Sequence, residues 1–185
     1  MGQIRLTNDQ LGRLGETAVS LELMKKGYDV INLNESLKNY EHADLLCISR
    51  VSGKDLRIQV KTGSTNKIYC GLTATNKGVI ADLEEKVVCP WVFVHVTPVI
   101  SLDGKDDFKF DFFILNRDET RELLKSSQDW YANQTKKPRT LQNSIPVSVD
   151  VPWLEAKGSK ETSLHYAYKS ALKITSLDKW DKISL

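Results

Sequence analysis

Two short strand-like segments joined by a tight link constrain the fold of this chain more than any other feature. Residues 55–62 (DLRIQVKT) alternate between apolar and polar side chains, as a half-buried strand does, and residues 43–50 (ADLLCISR) are a second strand candidate. The four residues between them, VSGK, include a glycine and are few enough to close a hairpin. We therefore predict two antiparallel neighbours, and this pairing determines which side chains share a face.

A capped helix and one further strand precede this hairpin. Thr7 and Gln10 have the spacing of a capping box. Apolar residues then recur at helical spacing, at Leu11, Leu14, Ala18 and Leu21. Gly12 and Gly15 lack a Cβ, so we expect this helix to pack closely against a sheet. Residues 28–33 (YDVINL) predict the strand that follows.

The remainder of the chain predicts an α/β domain. We expect an irregular segment at 63–78, a short helix at 80–87, a central apolar strand at 91–97 and a further strand at 108–115. Asn116 with Glu119 can cap a helix from about 117 to 133. An extended proline-containing loop at 136–152 and a final helix around 160–174 complete the chain. We therefore expect residues 1–185 to form a single domain, a mixed central sheet flanked by helices with C-terminal strand and helical additions.

The composition is typical of a soluble globular protein. Hydrophobic residues make up 41% of the chain and charged residues 27%, with a net charge of +2. Three cysteines without a CxxC pair argue against a disulfide scaffold or zinc site and favour the cytoplasm, and Cys47 and Cys89 have the apolar neighbours of packed side chains. No apolar run reaches the ~18 residues of a membrane span, and the N-terminus lacks a signal-peptide core.

Four polar residues converge on the predicted hairpin. Gln59 and Lys61 are two apart and leave the same face of their strand, and Asp44 opens the neighbouring strand. Glu16 can point into the same cleft if the first helix crosses the sheet. The Asp44 carboxylate and the Gln59 amide oxygen suit Mg²⁺, while Lys61 can orient a water or stabilise a phosphorane-like transition state. Taken alone, Gln59 and Lys61 fit an exposed strand face better than a catalytic site, and a surface charge is the alternative for Glu16.

The order of these motifs resembles the PD-(D/E)xK nuclease superfamily. The motifs are GE in the first helix, then GYDV, ADLL and IQVKT. The Q-x-K variant is most similar to the Mrr-type restriction endonucleases, and the helix glutamate is similar to that of archaeal Holliday-junction resolvases. The resemblance covers residues 7–97 and extends towards 115. It implies a restriction-endonuclease-like αβββαβ core at about 7–115, with 116–185 as an extension.

The resemblance also implies the roles of individual residues. The implied catalytic residues are Glu16, Asp44, Gln59 and Lys61. The implied ligands of Mg²⁺, or of Mn²⁺, are Asp44, Gln59, Glu16 and the backbone carbonyl of Val60. Two positions depart from the superfamily pattern, because Ala43 stands where a proline is common and neutral Gln59 replaces an acid.

The implied function is metal-dependent phosphodiester hydrolysis of nucleic acid by a DNA endonuclease, with RNA not excluded. The alternatives are a degraded nuclease-fold module that binds nucleic acid or a protein partner without cleavage, and a structural subunit of a larger complex. A homodimer is compatible with cutting both strands.

Several further side chains are candidates for contacting nucleic acid. Those for phosphate contact are Thr62, Ser64, Lys67, Lys136, Lys137 and Arg139. A polar loop explains Thr62, Ser64 and Lys67 equally well, and a solvated charge run is the default interpretation of Lys136, Lys137 and Arg139. The aromatic residues considered for base stacking are Trp91, Trp130, Tyr131, Trp153 and Trp180. Of these, Trp91 and Trp130 fit a core better.

Overall fold

A computed structural model of the chain describes residues 6–36, 43–73, 83–100, 106–133, 144–149, 172 and 176–183. The helices and strands follow in the order α1 (Asn8–Lys25), β1 (Tyr28–Asn32), α2 (Leu33–Ser36), β2 (Leu45–Ser49), β3 (Asp55–Gly63), β4 (Lys67–Thr73), α3 (Leu83–Lys86), β5 (Trp91–Ile100), β6 (Asp106–Leu115), α4 (Arg117–Asn133) and β7 (Ser144–Ser148), and a short 3-10 helix covers Trp180–Ile183.

Five strands form one mixed sheet in the order β1-β2-β3-β5-β6. β1, β2 and β3 are an antiparallel meander, β3 and β5 are parallel, and β5 and β6 are antiparallel. β4 and β7 form a separate antiparallel pair. Because parallel strands need a long connection, the chain between β3 and β5 carries both β4 and α3. The expectation of a mixed α/β domain with a helix-flanked central sheet is confirmed.

The sheet separates two hydrophobic cores. The core on the α1 face includes Leu11, Val19, Leu23, Ile58, Val60, Val92, Val94 and Trp180. The opposite core, which α4 and the β4–β7 pair cover, includes Ile68, Cys70, Trp91, Phe93, Leu123, Leu124 and Val147. Successive residues of β5 enter alternate cores, so β5 is buried on both faces, as expected for an interior strand. Residues beyond position 115 contribute to both cores.

Helix α1 begins with the predicted capping box and crosses β3 at a glycine. The Thr7 side chain accepts from the Gln10 N–H at 3.2 Å, and Gln10 Oε1 accepts from the Thr7 N–H at 2.9 Å. A Cβ added to Gly15 would lie 1.9 Å from Thr62 Oγ1, so the contact requires glycine. The same expectation for Gly12 is wrong, because nothing lies within 4 Å of its Cβ position.

Two segments that were expected to be irregular contain strands. β4 lies within the expected irregular segment 63–78, and β7 lies within the expected loop 136–152. In β4, Ile68 and Cys70 are buried while Tyr69 is 56% exposed, which is ordinary strand alternation. The glycine, threonine and asparagine around this segment hide that signal. The β4–β7 pair also means that a strand interrupts the expected order of helix, three strands, helix and strand.

Most predictions that rest on local signals are confirmed. The hairpin between β2 and β3 is present, and Asn116 and Glu119 form a capping box at α4. The helix expected at 80–87 is described only as α3, from 83 to 86, and a short helix α2 was not expected. The final helix expected around 160–174 lies outside the described residues except for Leu172, which is not helical.

Several aromatic and cysteine side chains that the sequence singled out are buried in the core. Trp91 is buried as expected, but the proposal that Trp180 stacks on bases is wrong, because it packs on Phe112 with ring centroids 5.4 Å apart. The side chains of Trp130, Tyr131 and Trp153 lie outside the described part of the chain. All three cysteines are free and buried, which confirms the packing expected for Cys47 and Cys89.

None of the helices in the described ranges is long and apolar enough to cross a membrane.

Candidate active site

The site is built where β2 ends and β3 continues. The last paired residues of the two strands are Leu45 and Ile58, so Asp44 stands just outside β2 and does not open the strand as expected. The Asp44 N–H still donates to the Ile58 carbonyl at 2.9 Å, and the Leu33 N–H donates to the Asp44 carbonyl at 2.8 Å. These two backbone bonds hold Asp44 in place while its side chain reaches towards the unpaired part of β3.

The Asp44 carboxylate accepts three N–H groups in a nearly dry environment. Asp44 is only 8% exposed. Oδ2 accepts from the Val60 N–H at 2.7 Å and from the Gln59 amide, and Oδ1 accepts from the Asn34 amide at 2.9 Å. These bonds replace the water that burial removes. Because the N–H and C=O of one strand residue leave at the same edge, the Val60 carbonyl also lies on the Asp44 side of β3.

Glu16 joins the same hydrogen-bond chain from helix α1. Its Oε2 accepts from the Asn32 amide at 2.8 Å, and its Oε1 accepts from the Asn34 amide at 3.2 Å. The side-chain nitrogen of Asn34 therefore contacts both carboxylates. Burial raises the pKa of Glu16, the Asn32 bond opposes this shift, and the negative charge of Asp44 adds to it.

Lys61 lies beside this chain of bonds but outside it. Its ammonium is 5.5 Å from the centroid of the Trp91 ring, a cation–π contact, and a Cβ on Gly71 would lie 3.9 Å from Nζ. Its positive charge also lowers the pKa of Glu16, as the smallest of the effects on that group. No carboxylate in the described ranges lies within ion-pair distance of Nζ, so the charge is not neutralised there.

The predicted constellation is thus assembled from both faces of the sheet. Ile58 and Val60 face α1, so Gln59 and Lys61 leave the opposite face, towards Trp91 and the second core. Glu16 approaches from the α1 side and meets the others only at the end of β2. The structure therefore brings Glu16, Asp44 and Gln59 into one hydrogen-bond chain, with Lys61 adjacent.

A polar cleft of about 600 Å³ opens beside Glu16. It is lined by Asn8, Asp9, Gly12, Arg13, Glu16, Thr17, Asn32, Asn34 and Glu35. Gly12 has no neighbour within 4 Å of its Cβ position because it borders this open space. Asp9 and Arg13 form an ion pair of 3.3 Å, which leaves the acids Glu16 and Glu35 as the remaining charged groups of the lining. The lining of the cleft therefore carries a net negative charge.

Sequence reasoning missed the two asparagines that hold the acids. Asn32 Oδ1 accepts from the Asn34 N–H at 2.9 Å and the Glu35 N–H at 3.3 Å, so the turn after β1 supports its own side chains. The signal was present, because two asparagines two residues apart at the end of a strand favour an Asx turn. Their contact with Glu16 depends on the crossing of α1, which local sequence does not give.

The residues predicted to bind nucleic acid have varied positions. Thr62 is half-buried under Gly15, Ser64 is exposed in the link to β4, and Lys67 is half-buried at the start of β4. Lys136, Lys137 and Arg139 lie outside the described residues.

The donor set is compatible with Mg²⁺. No group of three or more His, Cys, Asp or Glu side chains that could hold a metal occurs in the described ranges. A cation here would rely on the carboxylates of Glu16 and Asp44, together with neutral oxygen ligands. One oxygen of each carboxylate lies within hydrogen-bond distance of Asn34 Nδ2. Magnesium commonly uses one or two carboxylates and keeps several waters, so the set fits.

Comparisons with known proteins give no family for this chain. No protein-family model matches the sequence, and no curated protein matches it.

Proposed function

We propose that this protein hydrolyses phosphodiester bonds of nucleic acid with the help of Mg²⁺ or Mn²⁺, as a DNA endonuclease of the PD-(D/E)xK type with a restriction-endonuclease-like fold. The observation that carries the proposal is the continuous hydrogen-bond chain that joins Glu16, Asp44 and Gln59 at the divergence of β2 and β3. Lys61 follows on the same strand with an ammonium that no described carboxylate neutralises.

Asp44 and Glu16 would hold the metal, with the carbonyl of Val60 and the amide oxygen of Gln59 as neutral ligands. A bound Mg²⁺ supplies Lewis-acid polarisation of a phosphoryl oxygen and acidifies a coordinated water. The remaining chemistry belongs to the side chains. The Lys61 ammonium stabilises the negative charge that develops on the phosphoryl oxygens, because a preorganised charge in a partly dry site acts strongly.

Glu16 has a fixed orientation in the proposed site. Burial raises its pKa above the ordinary value of 4.5, while the bond from Asn32 opposes this shift. Its Oε1 and Oε2 are each fixed by an asparagine amide, so the carboxylate has a defined direction. Glu16 would thus present an oriented oxygen to a bound Mg²⁺.

One observation favours the alternative, a nuclease-fold module that binds nucleic acid or a protein partner without cleaving. All the hydrogen bonds that Asp44 accepts come from neutral N–H donors, and Gln59 donates its amide N–H to Asp44. To act as a ligand, Gln59 must turn its amide oxygen outward and give up this buried bond. A site that retains the bond is a stable polar network without a metal.

Cleavage assays with matched variants separate the two functions. Purified protein is incubated with supercoiled, linear, single-stranded and branched DNA, and with RNA, in Mg²⁺, Mn²⁺ or EDTA. We expect metal-dependent cleavage that Lys61→Met lowers by about 10²–10³-fold. Lys54→Met, an exposed lysine in the β2–β3 turn, removes the same charge away from the site and serves as the control.

Asp44→Asn is the appropriate test of the acid. Asp44→Ala would leave the buried N–H of Val60 and the Gln59 amide without an acceptor, at a cost of about 1–3 kcal/mol each, and could lose activity through unfolding. Asparagine retains one oxygen for these donors. Absence of cleavage of every substrate, together with no heat of Mg²⁺ binding in calorimetry, would contradict the nuclease and favour the binding module.

A further inference from the structure

The side-chain amide of Asn34 occupies the point at which the two acids of the site meet. Its Nδ2 lies 2.9 Å from Asp44 Oδ1 and 3.2 Å from Glu16 Oε1. An amide NH₂ group carries two hydrogens, so one nitrogen can satisfy both oxygens at the same time. Two carboxylates that face one another repel, and the positive end of the amide dipole offsets part of that repulsion.

The backbone around Asn34 is also tied to both acid-bearing elements. Its N–H donates to Asn32 Oδ1 at 2.9 Å, and the Asn32 amide donates to Glu16 Oε2 at 2.8 Å. The neighbouring Leu33 N–H donates to the Asp44 carbonyl at 2.8 Å. The turn from β1 into α2 therefore presents the Asn34 side chain to Glu16 and Asp44 in a fixed position, although Asn34 itself is exposed.

We propose that Asn34 is a positioning residue that holds Glu16 and Asp44 together and competes with a divalent cation for the same two oxygen atoms. The inference rests on the proposed metal site and adds the residue that sets its affinity. An N–H group and a cation both need the oxygen lone pairs that face Asn34, so both cannot occupy that position. Replacing the amide NH₂ with an oxygen converts the competitor into a ligand.

Asn34→Asp makes this exchange with almost no change of shape. We expect the affinity for Ca²⁺ and for Mg²⁺, each titrated alone by calorimetry, to rise by at least about tenfold, because a third carboxylate joins two. Without a cation, three carboxylates repel, so the melting temperature falls; saturating Ca²⁺ then restores it and produces a larger thermal shift than in the wild-type protein. Neither readout depends on DNA cleavage.

Asn66→Asp is the matched control. Asn66 is an exposed asparagine in the link between β3 and β4, so this variant adds the same charge away from the two acids. We expect its cation affinity and its thermal shift with Ca²⁺ to equal those of the wild-type protein. Asn34→Ala, which removes the amide without adding charge, should lower the melting temperature without a cation and increase the shift produced by Ca²⁺.

The outcomes separate the inference from the proposed function. Wild-type binding of Ca²⁺ or Mg²⁺ with an Asn34→Asp affinity within twofold of it overturns the role of Asn34 and leaves the nuclease proposal standing. Binding by Asn34→Asp but not by the wild-type protein supports the competition and contradicts a native metal site. No binding by either protein overturns both, and equal effects of Asn34→Asp and Asn66→Asp reduce the result to net charge and overturn the inference.

Discussion

The close crossing of α1 over β3 can be tested with two glycines of the same helix. Gly12 and Gly15 are three residues apart in α1, but only Gly15 faces another element. A Cβ at Gly15 would lie 1.9 Å from Thr62 Oγ1, 2.8 Å from its Cγ2 and 2.9 Å from its Cβ, whereas a Cβ at Gly12 meets nothing within 4 Å. Gly15→Ala and Gly12→Ala therefore differ in sterics alone.

The expected magnitudes follow from this difference. Replacing glycine with alanine inside a helix stabilises it by about 0.5–1 kcal/mol, and Gly12→Ala should retain this gain. Gly15→Ala has the same gain, but overpacking against β3 costs about 1–3 kcal/mol. The free energies of unfolding of the two variants should thus differ by about 1–3 kcal/mol, with Gly12→Ala the more stable.

Urea unfolding followed by circular dichroism measures the difference. With a slope of about 2 kcal/mol/M, the two midpoints should lie about 0.5–1.5 M apart. Thr62→Ala removes two of the three atoms that a Gly15 Cβ would strike, so combining it with Gly15→Ala should recover part of the loss. Equal midpoints for the two glycine variants would refute the crossing, and with it the position from which Glu16 enters the site.

Three further predictions concern titration and packing. Because burial raises the pKa of Glu16 above its ordinary value of 4.5, the folded protein holds this proton more tightly than the unfolded chain. The stability of the wild-type protein relative to Glu16→Gln should therefore fall as pH rises from about 4.5 through the folded-state pKa, and a pH-independent difference in urea unfolding would contradict this. Burial raises the pKa of Cys47 to about 12, of Cys70 to about 12 and of Cys89 to about 11. Ellman's reagent at pH 8 should therefore react slowly with the native protein, whereas in denaturant it should react with all three thiols. Trp180→Ala should lower the free energy of unfolding by about 3–5 kcal/mol, and a loss below 1 kcal/mol would contradict its place in the core.

Local signals in the sequence were sufficient for the elements that local contacts determine. The capping boxes at Thr7 and Asn116 and the hairpin between β2 and β3 each depend on residues a few positions apart. The pairing of β4 with β7 depends instead on residues far apart in the chain, such as Ile68 with Val147. No short window contains that information, and the glycines near β4 suggested a loop.

The candidate site shows the same limit. Period-two alternation correctly placed Gln59 and Lys61 on one face, because strand geometry alone determines it. It did not reveal that this face is opposite α1, which depends on how the hydrophobic residues of the whole sheet divide into two cores. The bonds from Asn32 and Asn34 to Glu16 likewise depend on the crossing of α1.

The early end of β2 explains why a buried carboxylate is located here. β3 continues past its last partner residue in β2, so the N–H of Val60 reaches an edge where no backbone carbonyl of β2 is available. A buried N–H without an acceptor is costly, and Asp44 Oδ2 supplies the acceptor at 2.7 Å. Asp44 thus satisfies the free N–H at the edge of β3 and also shares the Asn34 amide with Glu16. If β2 extended one residue further, the sheet would need no carboxylate at this position. The same gap in strand pairing that makes Asp44 an acceptor for the sheet therefore also brings its carboxylate to the amides of Gln59 and Asn34.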